Sequence, residues 1–253
     1  MSKKFQKFLF ADLDDTLFQS LEKCRGDLLE PTAFLKDGSP ISYSTAAQRA
    51  FFAFAQDGMT IIPATARNRD AFSRVRLPFS SYAVLNYGGM VLEPGGAVDA
   101  EWLGRMRAAM HAALPGLQEL AALIDAHAAR TGFGGRARII EDNATPFYLV
   151  LKDPQKVAAS LVPFEEEVVQ PWLDAGKRDY FIHRNGNNLA ILPNALNKVH
   201  AVTYVTERLR AEHGDIITFG MGDSRSDARF MAACDYAIVP SRTQLAGLTL
   251  EAL

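Results

Sequence analysis

The sequence predicts an α/β fold, a mainly parallel sheet covered by helices, with a second unit of mixed α+β type inserted into it. Three observations lead there. An apolar run at residues 8–11 ends abruptly in Asp12-Leu13-Asp14-Asp15. Strand-like and helix-like segments alternate through the first third of the chain and again through its last quarter, as right-handed crossovers between parallel strands require. Between those stretches the alternation gives way to long helical and hairpin-like segments.

The run at 8–11 is short and β-like and reads as a buried strand. Residues 45–57 form a helix, with Thr45 and Gln48 at capping-box spacing and Gly58 as the stop. Residues 60–64 read as a second buried strand, followed by a short helix around 70–75 and a strand at 82–86. In the last quarter a helix over 198–213 stops at Gly214. A strand at 216–220, a helix near 227–233 and a strand at 236–239 follow.

The middle is different. Residues 88–93 look like an edge strand closed by Pro94-Gly95-Gly96, and two helical stretches flank Pro115. Residues 137–140 and 147–152 are strand-like, and Asp153-Pro154 reads as a helix start with Pro at the first position. Residues 181–184 and 189–192 form a hairpin around Asn185-Gly186. Residues 18–44 are long for a strand-to-helix connection. Within them, 33–43 reads as a hairpin turning at Asp37-Gly38.

With 253 residues, 48% of them hydrophobic, the chain can bury a substantial core as one large or two modest domains. A net charge of −2 gives no general attraction to nucleic acid or to an anionic membrane. No apolar run approaches the roughly 20 residues of a membrane span. The basic stretch at residues 1–4 meets Asp12 too soon to begin a signal peptide. Cys24 and Cys234 stand in no disulfide or metal-ligand pattern, so a reducing, cytoplasmic setting is expected. Asn143-Ala144-Thr145 matches a glycosylation acceptor but has no secretory context.

Side chains alternate along a strand, so Asp12 and Asp14 share a face while Leu13 points to the core. Two same-side carboxylates repel one another. They suggest either a divalent cation, or a pair in which one carboxylate attacks and the other handles protons. Thr65-Ala66-Arg67 follows the second strand, and Gly222-Asp223-Ser224-Arg225-Ser226-Asp227 follows the strand at 216–220. Ligands of open α/β sheets bind at the carboxyl ends of the strands, and all three clusters fall at that edge. Other chemistries fit poorly. There is no Walker loop and no Gly-x-Ser-x-Gly elbow, Gly220-Met221-Gly222 lacks the third glycine of a dinucleotide fingerprint, and the five histidines show no ligand spacing.

These residues resemble the motifs of the haloacid dehalogenase superfamily, which is mostly phosphatases. Asp12-Leu13-Asp14-Asp15-Thr16 is similar to its first motif, Asp-x-Asp-x-Thr; Thr65 to the second; Lys198 to the third; and Gly222–Asp227 to the fourth, Gly-Asp-x-x-x-Asp. The order and spacing agree. The resemblance implies a Rossmann-like core at residues 1–87 and 193–253 and an inserted C2-type α+β cap at 88–192, as in sucrose-phosphate phosphatase and related sugar phosphatases. Asn86-Tyr87-Gly88-Gly89 resembles that subgroup's entry into the cap. Three departures stand out: Ala66 where a Gly is usual, Ser226 where an Asn is common, and the long 18–44 segment.

By the same resemblance, Asp12 is the nucleophile that forms an aspartyl-phosphate. Asp14 is the general acid that protonates the leaving oxygen and then the base that activates water. Mg²⁺ is the implied cofactor, held by Asp12, the Asp14 backbone carbonyl and Asp223, with Asp227 in or near the surrounding shell. Thr65 and Lys198 bind the phosphoryl group, while Arg67 and Asn86 are candidates for substrate contact. The implied partner is a phosphorylated sugar or similar small metabolite, with no nucleic acid or membrane and with the oligomeric state open. A sugar phosphomutase is the first alternative, and a non-catalytic binding protein on the same scaffold the second.

Overall fold

The computed structural model describes residues 5–176 and 179–250; the basic stretch at residues 1–4 lies outside them. In chain order the elements are β1 (Gln6–Ala11), a 3₁₀ turn (Leu21–Lys23), β2 (Glu30–Phe34), β3 (Pro40–Ser44), α1 (Ala46–Gly58), β4 (Thr60–Pro63), α2 (Arg69–Phe72), β5 (Ala83–Leu85), β6 (Met90–Leu92) and α3 (Ala100–Thr131). There follow β7 (Arg138–Asp142), β8 (Thr145–Leu151), α4 (Val162–Phe164), α5 (Gln170–Asp174), β9 (Tyr180–Asn185), β10 (Asn188–Pro193), α6 (Lys198–His213), β11 (Ile216–Met221), α7 (Ala228–Ala232), β12 (Tyr236–Ile238) and α8 (Gln244–Leu250). No helix among the described residues is long and apolar enough to cross a membrane.

The chain divides into two compact units: residues up to Leu103 together with those from Asn197 onward, and Gly104–Leu196. The expected inserted segment began at 88, whereas residues 88–103 lie with the first unit.

The first unit is built on a parallel sheet in the order β12-β11-β1-β4. β1 lies between two parallel neighbours, with Ala11 opposite Met221 on one side and Pro63 on the other. Phe8, Leu9, Phe10 and Ala11 are all buried. A parallel strand covered on both faces has no solvent side to alternate with, which is why its sequence reads as an unbroken apolar run. Helix α1 has the capping box anticipated from Thr45 and Gln48 and buries Phe52 and Ala55 in the same cluster as Leu9, Ala11 and Leu13. Strand β5 pairs antiparallel with β6 and meets the end of β4 through the bridge between Ala64 and Val84. The hairpin of β2 and β3 turns at Gly38, whose φ of +83° suits a residue without Cβ.

The second unit carries an antiparallel sheet in the order β7-β8-β10-β9. Leu149, Leu151, Leu189 and Ile191 pack on Leu117, Leu120 and Ile124 of α3 and on Phe164 and Trp172. Here two expectations are corrected. The two helical stretches around Pro115 are one helix, α3, of 32 residues. Proline removes an intrahelical donor and crowds the preceding turn. The Tyr180 hydroxyl donates to the Ala113 carbonyl at 2.7 Å. Gly116 leaves the room for it, since a Cβ there would overlap the Tyr180 ring. A tertiary donor thus supports the turn that the sequence marks as a break. Nor does a helix start at Pro154. The Asp153 carboxylate instead accepts from Gln155 N, Val157 N and Ser160 Oγ, and Lys156 has a φ of +60°. This tight turn delays helical backbone to Ala158.

Tyr180→Phe is expected to lower unfolding stability by about 1 kcal/mol, the usual worth of a lost hydrogen bond, as read by chemical denaturation. Unchanged stability would remove this hydroxyl from the account of how α3 tolerates Pro115.

Candidate active site

Register brings the three polar clusters together. The Asp12 N–H donates to Met221 O at 2.9 Å and the Ala64 N–H to Ala11 O at 2.8 Å. The ladders therefore run on to where β1, β4 and β11 release Asp12, Thr65 and Asp223.

Helix α6 supplies the cation. Its N-cap Asn197 accepts the Val199 N–H, and Lys198 in the first turn reaches two carboxylates. Lys198 Nζ donates to Asp12 Oδ1 at 2.6 Å and to Asp227 Oδ1 at 2.7 Å. All three residues are buried, at 5%, 7% and 1% exposure for Lys198, Asp12 and Asp227. The other oxygen of Asp227 accepts the Ser224 N–H at 3.1 Å and the Ser224 hydroxyl at 2.6 Å. Gly222 permits this fold-back, because a Cβ at that position would overlap the Asp227 side chain. Asp223 Oδ1 accepts the Thr16 hydroxyl at 3.2 Å. Thr65 is buried, and its hydroxyl accepts the Arg67 N–H at 3.1 Å.

A second pair stands beside this group. Arg67 Nε and Nη2 donate to the two oxygens of Asp14 at 2.8 and 2.7 Å, a bidentate fork. The guanidinium lies 5.1 Å from the centre of the Phe18 ring. Ala66, in place of the expected Gly, has no positive φ to accommodate. Asn86 is fully buried. Its N–H donates to Arg67 O at 2.9 Å, and the Tyr87 N–H donates to Thr65 O at 3.1 Å, so this stretch meets the Thr65–Arg67 turn through its backbone. Ser226 places its hydroxyl 2.8 Å from that of Ser224.

Burial is the largest influence on the charges. It pushes Asp12 well above the usual carboxylate range; Lys198 pulls the other way, and Asp227 and Asp223 push it further up. Burial likewise lifts Asp223 to about 6, helped by the charges of Asp227 and Asp15. For Lys198, burial opposes the charged form, but Asp12 and Asp227 outweigh it and raise its affinity for the proton. Asp227 is also opposed by burial, yet Lys198 and Ser224 hold it below the ordinary value. The cluster is thus a well-paired Asp227–Lys198 unit beside two carboxylates short of positive charge.

That donor set fits a hard divalent cation. Carboxylate oxygens of Asp12, Asp223 and Asp227 all lie within 4.8 Å of one another, and oxygen ligands are what Mg²⁺ selects. The oxygens of Asp227 are engaged by Lys198 and Ser224, whereas Asp12 and Asp223 each have one oxygen taken in the contacts just described.

Several contributors did not stand out in the sequence. Ser224 anchors Asp227, and Gln48 Nε2 donates to Thr16 O at 3.2 Å, joining the cap of α1 to the loop that follows Asp12. Lys23 Nζ pairs with Asp15 Oδ2 at 2.6 Å. The capping box signalled Gln48 as a cap, but its second partner is 32 residues away and carries no local signal.

No protein-family model matches the chain, and no curated protein matches it. Solved structures do. A sucrose-phosphatase from Synechocystis sp., in complex with sucrose and phosphate, aligns over 98% of this chain and 97% of its own, with 16% identity and a TM-score of 0.52. The C-terminal domain of a Candida albicans trehalose-6-phosphate phosphatase aligns over 90% and 73%, with 10% identity and a TM-score of 0.56. A Thermoplasma acidophilum protein aligns over 98% of both chains, with 13% identity and a TM-score of 0.51. The chain shares their fold, the haloacid dehalogenase-type α/β core with an α+β insertion that the motifs implied.

The raised Asp223 gives a signed pH dependence. It titrates near 6 in the folded protein against an ordinary value of 3.8. As pH rises the unfolded chain releases this proton first, so the residue's contribution to stability is present below the lower value and lost through the higher one. Asp223→Asn should therefore stabilise the metal-free protein by about 1–3 kcal/mol at pH 8 and change it little at pH 4. Denaturation curves at the two pH values decide it, and an equal effect at both would refute the assignment.

Proposed function

We propose that this chain is a Mg²⁺-dependent phosphatase that hydrolyses a phosphate monoester of a sugar or similar small metabolite through an aspartyl-phosphate. The observation that carries the reading is the charge left at the strand ends. Asp14 is matched by Arg67 and Asp15 by Lys23, but Asp12, Asp223 and Asp227 share the single Lys198. Two negative charges remain when all three are ionised, the complement of one divalent cation. The fold shared with a sucrose-phosphatase and a trehalose-6-phosphate phosphatase favours a phosphorylated sugar.

The residues divide the work as follows. Lys198 opposes the effect of burial on Asp12 and engages one of its oxygens, leaving the other carboxylate oxygen to attack phosphorus. The bond from phosphorus to the leaving oxygen breaks, and Asp14, having taken up a proton from solvent, delivers it to this oxygen. Arg67 must first yield one of its two contacts with Asp14, since both carboxylate oxygens are occupied. In the second half Asp14 takes a proton from water as the water oxygen attacks phosphorus, and Asp12 departs as a carboxylate with release of inorganic phosphate. Thr65 donates its hydroxyl hydrogen to a phosphoryl oxygen, and Lys198 adds positive charge beside it. Asp12, Asp223 and the Asp14 carbonyl would hold Mg²⁺, with Asp227 steadying Lys198, and the bound ion would supply the positive charge that a dianion needs to approach these carboxylates. The unit made of residues up to Leu103 and from Asn197 onward would carry the chemistry, and the inserted Gly104–Leu196 unit would select the leaving group.

Asp12→Asn keeps the shape of the side chain and removes the nucleophile. It should lower phosphate release by at least about 1,000-fold while leaving the circular dichroism spectrum and melting behaviour of a folded protein. The assay is phosphate release over a panel of sugar phosphates, with Mg²⁺ and with a chelator. Comparable activity in the variant, or activity indifferent to chelation, would overturn the reading.

A further inference from the structure

The long 18–44 segment brings a cation into the site from outside the motifs. Its base is closed by two backbone hydrogen bonds, Gln19 N–H to Tyr43 O at 2.9 Å and Tyr43 N–H to Gln19 O at 2.7 Å. The Gln19 side chain donates to the Lys23 carbonyl at 2.9 Å, so the 3₁₀ turn Leu21–Lys23 is fastened to that base. From there Lys23 reaches Asp15 at 2.6 Å. Asp15 is held in its turn: its φ is +63° and its N–H donates to Phe18 O at 2.7 Å. Asp15 directly precedes Thr16, whose hydroxyl binds Asp223. The Lys23 side chain is half-exposed, and a pair so open to water contributes little to stability. Its placement beside the acidic cluster is what calls for an explanation.

We infer that Lys23 is a positioning residue acting through Asp15: it cancels the Asp15 charge, so that a phosphate group can approach the Asp12–Asp223 edge while the excess negative charge stays confined to the divalent-cation site. This rests on the phosphatase reading and extends it to a residue supplied by the 18–44 segment.

The role separates electrostatics from scaffolding, because uncovering one negative charge acts oppositely on a cation and an anion. In Lys23→Met, Mg²⁺ alone should bind about three- to tenfold more tightly. Inorganic phosphate, added with Mg²⁺ at saturation, should bind more weakly by a similar factor of roughly three to ten. Both shifts should shrink in 1 M salt, where the screening length falls to about 3 Å. Lys23→Arg should restore both affinities, and so should Lys23→Met combined with Asp15→Asn, which leaves no charge to cancel. Isothermal titration calorimetry with magnesium chloride and with inorganic phosphate reads each affinity without turnover. Affinities that weaken together, stay unchanged, or fail to recover in the double variant overturn the inference while leaving the phosphatase reading intact. A wild-type protein that binds neither Mg²⁺ nor phosphate overturns that reading and this inference with it.

Discussion

A buried lysine shared by two buried carboxylates is the constraint on which the rest of the site depends. Lys198 occupies the first turn of α6, where the helix dipole disfavours a cation, and burial disfavours its charge further. Asp12 and Asp227 make the position tenable, and neither carboxylate would be tolerable there without the lysine. Removing one partner of such a set strands the others in a poorly solvated place, a penalty of several kcal/mol in comparable systems. An arrangement in which three buried charges depend on one another is a weak way to stabilise a fold. It makes sense where fixed charge is needed at one point.

The sheet decides where that point is. β1 is hydrogen-bonded to parallel strands on both sides, and its last residue lies level with the last residues of β4 and β11. A one-residue slip would turn Phe10 and Ala11 to the opposite faces and misplace Asp12 with them. Burial on both faces forbids the slip, because no polar side exists to receive the displaced residues. The apolar packing of the sheet and the placement of the Asp12 loop are therefore one requirement. The Thr16 hydroxyl on Asp223 and the Gln48 amide on Thr16 carry it outward to α1.

How much of this was legible depended on whether a residue's partner was near in sequence or announced by periodicity. The buried strands, the capping box at Thr45 and Gln48, and the end of α6 at Gly214 were legible because each is written in a local pattern. The strand-end clusters followed from topology, since parallel strands deliver their following residues to one edge. The continuity of α3 was not legible: Pro115 is a local stop signal, and the hydroxyl that supports the turn belongs to Tyr180. Asp153-Pro154 carried the composition of a helix start, but the same carboxylate can close a turn, and Ser160 and Val157 drew it that way. The pairing of Arg67 with Asp14 was not legible either, because a fork between residues 53 apart leaves no trace in spacing.

The distribution of charge also bears on why one kind of ligand fits. Asp14 and Asp15 sit in locally neutral pairs at the more exposed side, with Arg67 and Lys23. The uncompensated charge is confined to the more buried Asp12, Asp223 and Asp227, around one lysine. A further lysine or a monovalent ion there would leave one charge unmet, whereas a divalent ion meets both. Protonation also relieves the cluster, and the raised Asp12 and Asp223 show the route. A metal ion competes with the proton for the same oxygens. The raised Asp12 and Asp223 and the fit of the cluster to a divalent cation are thus two readings of one electrostatic deficit.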